Sequence, residues 1–399
     1  MIRVLLIIGQ SLIIFYLLVP FVTYILVTLK RFFISGKAEP VVIAKNYDFA
    51  AIVCAHQQPI FIGPLVDSLQ KQAYKNIHIY VVADKVREDL SHLNAPNVTI
   101  LKPEHDLNAK TKSIKLAIDH FIRKHDAIAV FDADNLVHPE YFILMNQYFN
   151  KGYKMVQGRI APKNLNTDAA CMDAANETYY TFIDKFSRSK LGLSSGIWGL
   201  GFVIDLEVFK QVKFDVFLSG FDKKLQATAI LLVDRIGYES QAIVFDEKTS
   251  TGDGLIQQRS KWLYGYFRYA KLGLGVVLKG ITTLSFDKIY YGINHMRPPL
   301  VVLFPAAAVF IVLDLLLDPL LAYIMLGSIA AFFVSFFLII LTYANDKRVV
   351  RVLPKIPRFV ILQMLAIMKV RKAKTHTHTS HSHVISIEEV MENIKPNAQ

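Results

Sequence analysis

Three long apolar runs restrict the fold of this sequence more than any other feature. Residues 4–29 carry no charged side chain, residues 298–317 carry only Asp314, and residues 320–343 carry none. About 20 apolar residues in an α-helix, at a rise of 1.5 Å each, cross a hydrocarbon layer of ~30 Å. The chain is also 53% hydrophobic, which is too apolar for an ordinary soluble enzyme. We therefore predict three membrane-spanning helices.

Basic residues around these runs predict the orientation of the chain in a membrane. Two of them directly follow the first run, which we interpret as an uncleaved transmembrane anchor at residues 1–31. Only a tight turn separates the other two runs, so residues 298–345 form a transmembrane hairpin, and Lys347, Arg348 and Arg351 follow it. Cytoplasmic segments beside membrane spans are rich in Lys and Arg. We therefore expect a multi-pass protein of a bacterial inner membrane whose catalytic domain is cytosolic.

Three further segments flank the hairpin. Residues 283–297 and 355–372 are predicted to be interfacial helices, because each apolar stretch is too short to cross a membrane. Residues 373–399 are a polar tail with alternating histidines, and its last residues are expected to be loosely ordered. Such histidines bind metals adventitiously, so no zinc site is expected there.

The segment at residues 45–270 has the pattern of a separate α/β domain. Apolar stretches at 50–55, 77–82 and 127–131 predict buried strands, and 64–72 and 111–123 predict helices. Strands that alternate with helices indicate βαβ units and a mostly parallel sheet covered on both faces. In such sheets, ligands bind beyond the carboxyl ends of the strands. Polar residues at those ends are therefore the first site candidates.

Net charge and cysteine content exclude some classes of function. The formal net charge is +12, but Lys and Arg gather beside the apolar stretches. Anionic membrane lipids are therefore the expected partners, and nucleic acid is not. The two cysteines, Cys54 and Cys171, lack metal-ligand spacing and are interpreted as small buried hydrophobic residues.

Two aspartates directly after a predicted buried strand, Asp132 and Asp134, are the main candidate site. Carboxylates two residues apart at a strand end can bind one divalent cation, which keeps phosphate oxygens and water in its shell. A solvated loop after a strand would contain the same pair of residues. The motif alone leaves both interpretations open.

Asp84 and Lys112 are candidate contacts for a nucleotide. Asp84 ends the preceding strand, where its carboxylate could accept hydrogen bonds from a base or a ribose. A turn-forming aspartate explains the residue equally well. Lys112 begins a predicted helix and could bind a phosphate with the helix N-terminus, although a solvated lysine accounts for it in isolation.

The order of the motifs is more specific than any one of them. After Asp84, Lys112 and Asp132-Ala133-Asp134 come a glycine-bounded loop at 199–202 and the sequence Gln258-Arg259-Ser260-Lys261-Trp262. Together they resemble the family 2 glycosyltransferases, in particular the integral-membrane branch that includes cellulose, chitin and hyaluronan synthases and bacterial exopolysaccharide enzymes. The resemblance covers residues 49–262, and more loosely the membrane tail.

The resemblance implies a GT-A type fold, Rossmann-like with a mostly parallel sheet, and inversion at the anomeric carbon. The implied ligands are a nucleotide-sugar donor, which we expect to be a UDP-sugar, and Mg²⁺ or Mn²⁺. The implied donor-binding residues are Asp84, Lys112, Asp132 and Asp134, of which Asp134 and Asp132 hold the metal, and the implied acceptor or diphosphate contacts are Gln258, Lys261 and Trp262.

The resemblance also places the general base of the reaction at Asp222. The family has a Glu-Asp pair before a helix, whereas this chain has Phe221-Asp222-Lys223. An apolar neighbour favours a raised pKa of Asp222, because burial disfavours the charged form. A helix N-cap is the competing interpretation of Asp222. In the last motif Lys261 replaces an arginine and loses its bidentate fork.

Three functions remain open from the sequence. The motif at 258–262 favours transfer of sugars to a growing polysaccharide. Transfer of a single sugar to a lipid-linked acceptor is the alternative, because three membrane spans give little material for a polymer channel without a homo-oligomer or an export partner. Phe221 and Lys261 support a third, less favoured hypothesis, a non-catalytic scaffold in an export complex.

Overall fold

The computed structural model describes residues 2–33, 41–214, 220–369 and 383–393. The strands in these ranges are β1 (Phe49–His56), β2 (Ile77–Asp84), β3 (Val98–Leu101), β4 (Ala127–Asp132), β5 (Leu136–Val137), β6 (Met155–Pro162), β7 (Phe202–Asp205) and β8 (Gly237–Asp246). The α-helices are α1 (Ile2–Phe33), α2 (Ile62–Gln70), α3 (Lys110–Asp119), α4 (Tyr141–Asn150), α5 (Asp168–Thr181), α6 (Ser187–Lys190), α7 (Leu206–Gln211), α8 (Phe221–Leu232), α9 (Gly252–Tyr269), α10 (Leu272–Thr282), α11 (Phe286–His295), α12 (Leu300–Leu317), α13 (Pro319–Tyr343), α14 (Lys347–Arg351), α15 (Ile356–Lys369) and α16 (Ile387–Asn393). A π-helical segment, Phe182–Phe186, joins α5 to α6.

The strands form one mixed sheet in the order β3-β2-β1-β4-β7-β6-β8-β5. β1 pairs in parallel with β2 and β4, β2 with β3, and β6 with β8. β7 runs antiparallel to β4 and β6, and β5 runs antiparallel to β8. Gly201 has a φ of 59°, which favours glycine, and it donates its N–H to the carbonyl of Val130 as the chain turns into β7. The predicted α/β fold with a mostly parallel sheet is confirmed.

Both faces of the sheet are buried, as expected for parallel strands covered by helices. Successive side chains of β1 point to opposite faces. Val53 belongs to a core that includes Leu65 of α2. Ile52 belongs to a second core that includes Ile114 of α3 and Leu225 of α8. Every polar group at the carboxyl ends of these strands therefore sits on a rigid support.

The helix predicted at 111–123 is shorter in the structure, where α3 ends at Asp119. The N–H of Ile122 donates to the hydroxyl of Tyr80 on β2 at 3.0 Å instead of to a helical carbonyl. A contact with a distant part of the chain thus ends this helix earlier than the local pattern predicts.

Three helices are long and apolar enough to cross a membrane, at Ile7–Phe33, Leu300–Leu317 and Pro319–Tyr343. They coincide with the three predicted spans. α12 and α13 are joined at Asp318 as a hairpin, and α1 packs against α13. Many large apolar side chains on their outer faces are exposed, as a lipid-facing surface requires.

The three helices α1, α12 and α13, which we call the membrane-type helices, pack directly against the α/β domain. One apolar cluster combines Leu17 of α1 and Phe332 of α13 with Tyr179 of α5 and Phe182 of the π-helical segment. Leu17 is fully buried, and Phe332, Tyr179 and Phe182 are at most 2% exposed. The two parts of the chain therefore share one core.

The segments predicted as interfacial helices are both helical. α11 packs closely on α10 and also contacts α8, and α15 packs on α9. The approach of α11 to α10 needs glycine, since a Cβ on Gly273 would lie 2.6 Å from the carbonyl oxygen of Gly292. Their position in a membrane interface stays a prediction.

The C-terminal segment differs from the predicted loosely ordered tail. Most of the predicted tail, including His376, His378 and His381, lies outside the described residues. Residues 387–393, however, form α16. Ile387 and Val390 are at most 1% exposed, and they pack with Leu136, Ala161, Ile243 and Phe245 at the edge of the sheet. The helix forms here because two apolar residues three positions apart share one face.

Replacing Ile387 by alanine should release α16 from the sheet. Removing a buried isoleucine side chain costs about 2–5 kcal/mol. Hydrogen exchange in residues 387–393 should therefore become much faster, whereas the exposed Glu392→Ala should leave it unchanged. Unchanged exchange in Ile387→Ala would contradict this docking.

Candidate active site

One cavity of about 920 Å³ lies between the sheet and the membrane-type helices. One part of its wall is polar and includes Asp132 at the end of β4 and Asp222 on α8. Another part is apolar and includes Phe304 of α12, Phe336 of α13 and Val360 of α15. The candidate catalytic carboxylates therefore share a cavity with the helices predicted to lie in the membrane.

Asp132 is paired with a lysine that the sequence motif did not single out. Lys110 Nζ donates to Asp132 Oδ1 at 2.6 Å and to the carbonyl oxygen of Gly199 at 2.7 Å. Ala109 has an extended backbone, so α3 begins at Lys110 and directs it to the end of β4. Burial alone would lower the pKa of Lys110, but the Asp132 carboxylate outweighs burial and raises it. The Asp132 side chain remains 38% exposed.

A chain of hydrogen bonds fixes the loop after β4. Asn135 Oδ1 accepts from the N–H of Asp132 at 2.9 Å, and Asn135 Nδ2 donates to Asp246 Oδ1 at 3.0 Å. Lys248 Nζ lies 2.8 Å from Asp246 Oδ2 and 2.6 Å from Glu177 Oε2. Burial disfavours the ammonium of Lys248, yet these two carboxylates raise its pKa. The loop is therefore held between β8 and α5 before any ligand binds.

Asp134 is only 7% exposed. Its backbone carbonyl accepts a hydrogen bond from Lys163 Nζ at 2.7 Å, and its carboxylate raises the pKa of Lys110. Within the described ranges, no group of three or more His, Cys, Asp or Glu side chains is arranged to hold a metal ion. A pair of carboxylates suits a hard cation that takes its other ligands from a diphosphate and water. Because Asp132 already binds a cationic group, the donor set fits Mg²⁺ or Mn²⁺.

Asp84 lies at the same edge of the sheet. Strand pairing puts Asp84 and Asp132 on either side of β1 near its carboxyl end. The Asp84 carboxylate accepts from the N–H groups of Leu107 and Asn108, both at 2.9 Å, and lies 2.8 Å from His56 Nδ1. Burial alone would raise the pKa of Asp84, but these hydrogen bonds lower it. The Asp84 carboxylate thus stays ionised, and its hydrogen bonds fix its orientation.

Three residues beside Asp84 have left-handed backbone angles. The φ values of Gln57, Lys85 and Asn108 are 60°, 58° and 51°. None of them is glycine. Such angles cost free energy and persist only where the surrounding structure offsets that cost, often at ligand sites. This strain supports Asp84 as part of a binding site, and its contact with a nucleoside stays a prediction.

Asp222 lies in the first turn of α8 and lines the cavity. Gly220 caps this helix at a φ of 90°, so the N-cap interpretation of Asp222 is wrong. Burial raises the pKa of the Asp222 carboxyl, opposed by Lys223, by backbone N–H groups at the helix start and by Lys110. The raised pKa was predicted, and it makes this carboxylate a stronger base than an exposed aspartate.

The last motif lies on α9, where Gln258, Lys261 and Trp262 all line the cavity. Burial lowers the pKa of Lys261, and Trp262 is 53% exposed. Arg259 forms a buried ion pair with Asp173, and its guanidinium lies 4.2 Å from the centroid of the Trp262 ring. Arg259 therefore orients Trp262, a role that the spacing of the motif did not predict.

The cavity brings together several of the predicted site residues and a lysine that was not predicted. The predicted residues that line the cavity are Asp132, Asp222, Gln258, Lys261 and Trp262. Asp84 and Asp134 lie nearby, whereas Lys112 is not among the lining residues and Lys110 occupies the place beside Asp132. The start of α3, placed one residue too late from the sequence, was the signal that could have identified Lys110.

The chain is similar to known glycosyltransferases in sequence and in fold. Residues 46–265 match the family model described as glycosyltransferase like family 2. Among solved structures, the chain is similar to "Mannosyltransferase PcManGT from Pyrobaculum calidifontis in complex with GDP-Man and Mn2+", at 14% identity and a TM-score of 0.57 over 92% of this chain and 99% of that one. The likeness concerns the fold.

Weaker similarity links the chain to S. aureus TarS 1-349. Its structures alone and in complex with UDP-GlcNAc have TM-scores of 0.44 and 0.43 and 12% identity, over 82% of this chain and 91% and 92% of those chains. Among curated proteins, none matches this sequence.

Replacing Lys110 by methionine should strengthen Mn²⁺ binding in the absence of nucleotide. The substitution frees the Asp132 carboxylate and removes a like charge, so affinity should rise on the order of tenfold. Free Mn²⁺ can be measured by electron paramagnetic resonance on the purified protein. Lys112→Met is the matched control and should behave like the wild type. Unchanged or weaker Mn²⁺ binding in Lys110→Met would show that Lys110 does not compete with the metal ion for the Asp132 carboxylate.

Asp222→Asn should raise the melting temperature at neutral pH. Because the folded protein holds the Asp222 proton more tightly than the unfolded chain, the stability associated with this group is present below the unfolded pKa and is lost as pH rises through the folded pKa. The difference between variant and wild type should widen from about pH 4 to pH 8. The exposed Asp119→Asn should show no such trend. A variant that is less stable at pH 8 would contradict the raised pKa.

Proposed function

The chain belongs to the glycosyltransferase like family 2, and we propose that it transfers one sugar from a nucleotide-diphosphate sugar, with inversion, to a hydroxyl group of a lipid-linked acceptor. The family and the GT-A fold make it a glycosyltransferase. The motifs alone favoured a growing polysaccharide as the acceptor. The composition of the cavity wall changes that preference.

The observation that carries the proposal is the continuity of the cavity. Phe304 on α12, Phe332 on α13 and Met364 on α15 line the same space as Asp222. Apolar walls exclude water and suit a hydrocarbon chain, whereas a polysaccharide needs polar groups along its path. A lipid whose chain lies among these helices would present its polar end to Asp222.

The membrane-type helices support a membrane location. Three helices can cross a membrane by length and composition. Basic residues stand in the last turn of α1 and directly after the α12–α13 hairpin, which supports a cytosolic catalytic domain in a bacterial inner membrane. Nucleotide-sugars and divalent cations are available in that compartment.

The donor would bind at the carboxyl ends of β2 and β4. Asp84 would hold the nucleoside, for which UDP is our expectation, and Lys110 would face the diphosphate. PcManGT, which has a similar fold, was solved in complex with GDP-Man and Mn2+, and this supports a divalent cation at Asp132 and Asp134. Bound there, Mg²⁺ or Mn²⁺ would neutralise charge on the leaving diphosphate.

Asp222 would act as the general base on the acceptor. Its carboxylate takes the proton of the acceptor hydroxyl while that oxygen forms a bond to the anomeric carbon. The bond from the anomeric carbon to the phosphate oxygen breaks, and the nucleoside diphosphate leaves with the bonding electrons. Attack from the face opposite the leaving group inverts the configuration. The raised pKa of Asp222 makes this carboxylate a stronger base than an exposed aspartate.

The residues of α9 would bind the acceptor and the departing diphosphate. Trp262 is exposed to the cavity and would stack on a sugar ring, in the orientation that Arg259 holds. The Lys261 ammonium would attract the diphosphate as a point charge, since it lacks the fork of an arginine. Gln258 Oε1 is buried and has no hydrogen-bond partner among the described residues, so it is available to a ligand.

Extension of a polysaccharide is the second candidate, and Trp262 is the observation that favours it. Aromatic rings in a cavity can support successive sugar units. A homo-oligomer or an export partner would then be needed for translocation. A non-catalytic scaffold in an export complex is a third, weaker hypothesis, since Asp132 and Asp222 line one cavity.

Radiolabelled nucleotide-sugars distinguish the three functions. Membranes that contain the protein should transfer label from UDP-glucose, UDP-N-acetylglucosamine or GDP-mannose into the chloroform–methanol extract, and EDTA or Asp132→Asn should abolish it. Label in an insoluble polymer would support the second candidate. No transfer, together with no Mn²⁺-dependent UDP binding by folded protein, would favour the scaffold.

The pH dependence of transfer tests the role of Asp222. Activity should fall towards acid with an apparent pKa above the ordinary aspartate range of about 3.9, because the base must be ionised. Asp222→Asn should lower kcat by about 10²–10⁴ and remove this acidic limb. UDP binding should be retained. An unaltered pH profile in Asp222→Asn would exclude Asp222 as the base.

A further inference from the structure

A group of charged side chains lines the same cavity and includes the residue after Asp222 and a residue just before α12. We refer to Asp184, Arg188, Lys223 and Arg297 as the boundary cluster, and all four line the cavity. Lys223 directly follows Asp222. Arg297 stands three residues before Leu300, where α12 begins. The cluster therefore connects the candidate base to the start of a membrane-type helix.

The boundary cluster carries more positive than negative charge. Arg188 Nη2 and Arg297 Nη2 bind different oxygens of Asp184, at 2.9 Å and 2.8 Å, so one carboxylate serves two guanidinium groups. Lys223 adds a third cation, and Asp222 is the second carboxylate that acts on it electrostatically. His295 faces the same region, but burial lowers its pKa to about 3 and it adds no charge. A bound anion would compensate the excess positive charge of the boundary cluster.

Lys223 has an ammonium group available for such an anion. Among the described residues Lys223 Nζ makes no hydrogen bond or ion pair, and it lies 5.8 Å from the centroid of the Tyr266 ring. Burial lowers the pKa of Lys223, Asp184 and Asp222 oppose this shift, and the two arginines reinforce it. Arg188 Nε is buried and has no partner in the described part of the chain. The ion pairs of the cluster therefore leave donors unused.

We infer that the boundary cluster binds a phosphate group of the acceptor lipid, an inference that rests on the proposed function. Ammonium and guanidinium groups form charge-assisted hydrogen bonds with phosphate, which are stronger than neutral ones. The phosphate lies at Lys223 and Arg297, the acceptor hydroxyl lies at Asp222, and the hydrocarbon chain follows Phe304 and Phe336. The acceptor is therefore an anionic lipid and not a neutral one.

Two classes of lipid carry the required phosphate. In a phosphoglyceride the phosphate joins the glycerol to the head group, and in a polyprenyl-phosphate-linked sugar it joins the hydrocarbon chain to the sugar. Both present an anion between a hydrocarbon chain and a polar group. The boundary cluster would recognise the same phosphate group in both classes. A competition experiment is therefore needed to identify which class of lipid supplies it.

Intrinsic fluorescence provides a direct test. The chain has two tryptophans, Trp198 and Trp262, and both line the cavity. Lipids with brominated acyl chains quench tryptophan on contact, so titration into the full-length protein in neutral detergent reads binding without sugar transfer. Dibrominated phosphatidic acid should half-saturate quenching at an about tenfold lower concentration than dibrominated diacylglycerol.

Variants at neighbouring lysines provide matched controls. Lys223→Gln should remove the preference for phosphatidic acid, Lys223→Arg should keep it, and Lys224→Gln should behave like the wild type. Each variant should retain the wild-type melting temperature and Mn²⁺-dependent UDP binding. Equal quenching by both brominated lipids in the wild type, or an unchanged preference in Lys223→Gln, would overturn the inference.

Unlabelled competitors identify the source of the phosphate. Displacement by phosphatidylglycerol would assign a phosphoglyceride, and displacement by undecaprenyl phosphate would assign a polyprenyl lipid. Displacement by neither overturns the inference. Quenching measures lipid binding and does not depend on sugar transfer. If quenching depends on Lys223 but no labelled product reaches the organic extract, the result would contradict the proposed function and leave the inferred phosphate site intact.

Discussion

The aromatic contact between the α/β domain and α13 fixes the geometry on which the rest of the site depends. The ring of Tyr179 lies 5.2 Å from that of Phe336, and the ring of Phe182 lies 4.8 Å from that of Tyr343, measured between centroids. These rings form a dry core and not a linker, so the domain cannot turn freely relative to its helices. The cavity wall can therefore be shared between the candidate catalytic carboxylates and the membrane-type helices.

Much of the fold could be predicted from the sequence because its signals are local. A span needs only an unbroken apolar run, and a buried parallel strand such as β4 needs only a short one. The end of α3 and the existence of α16 were missed because distant contacts decide them. Ile122 bonds to Tyr80 across 42 positions, and Ile387 is buried only when it meets the edge of the sheet.

The candidate site likewise contains residues that could be predicted from the sequence and residues that could not. Asp132 was predicted from its place after a strand, Asp222 was predicted from the family resemblance, and both line the cavity. Lys110 was not predicted, since the residue that faces Asp132 depends on where α3 begins. Arg297 had no local signal at all. It meets Asp184 across 113 positions, and only the docking of the α12 helix start against the π-helical segment brings them together.

The apolar part of the cavity wall also has a kinetic consequence. An acceptor that reaches Asp222 along α12 and α15 is drawn from the bilayer, where diffusion is two-dimensional. The relevant concentration is then the mole fraction of that lipid in the membrane, and dilution of the aqueous phase does not change it. Saturation of such an enzyme follows lipid composition, whereas the donor saturates it in molar units. The two substrates of one cavity would thus obey different concentration scales.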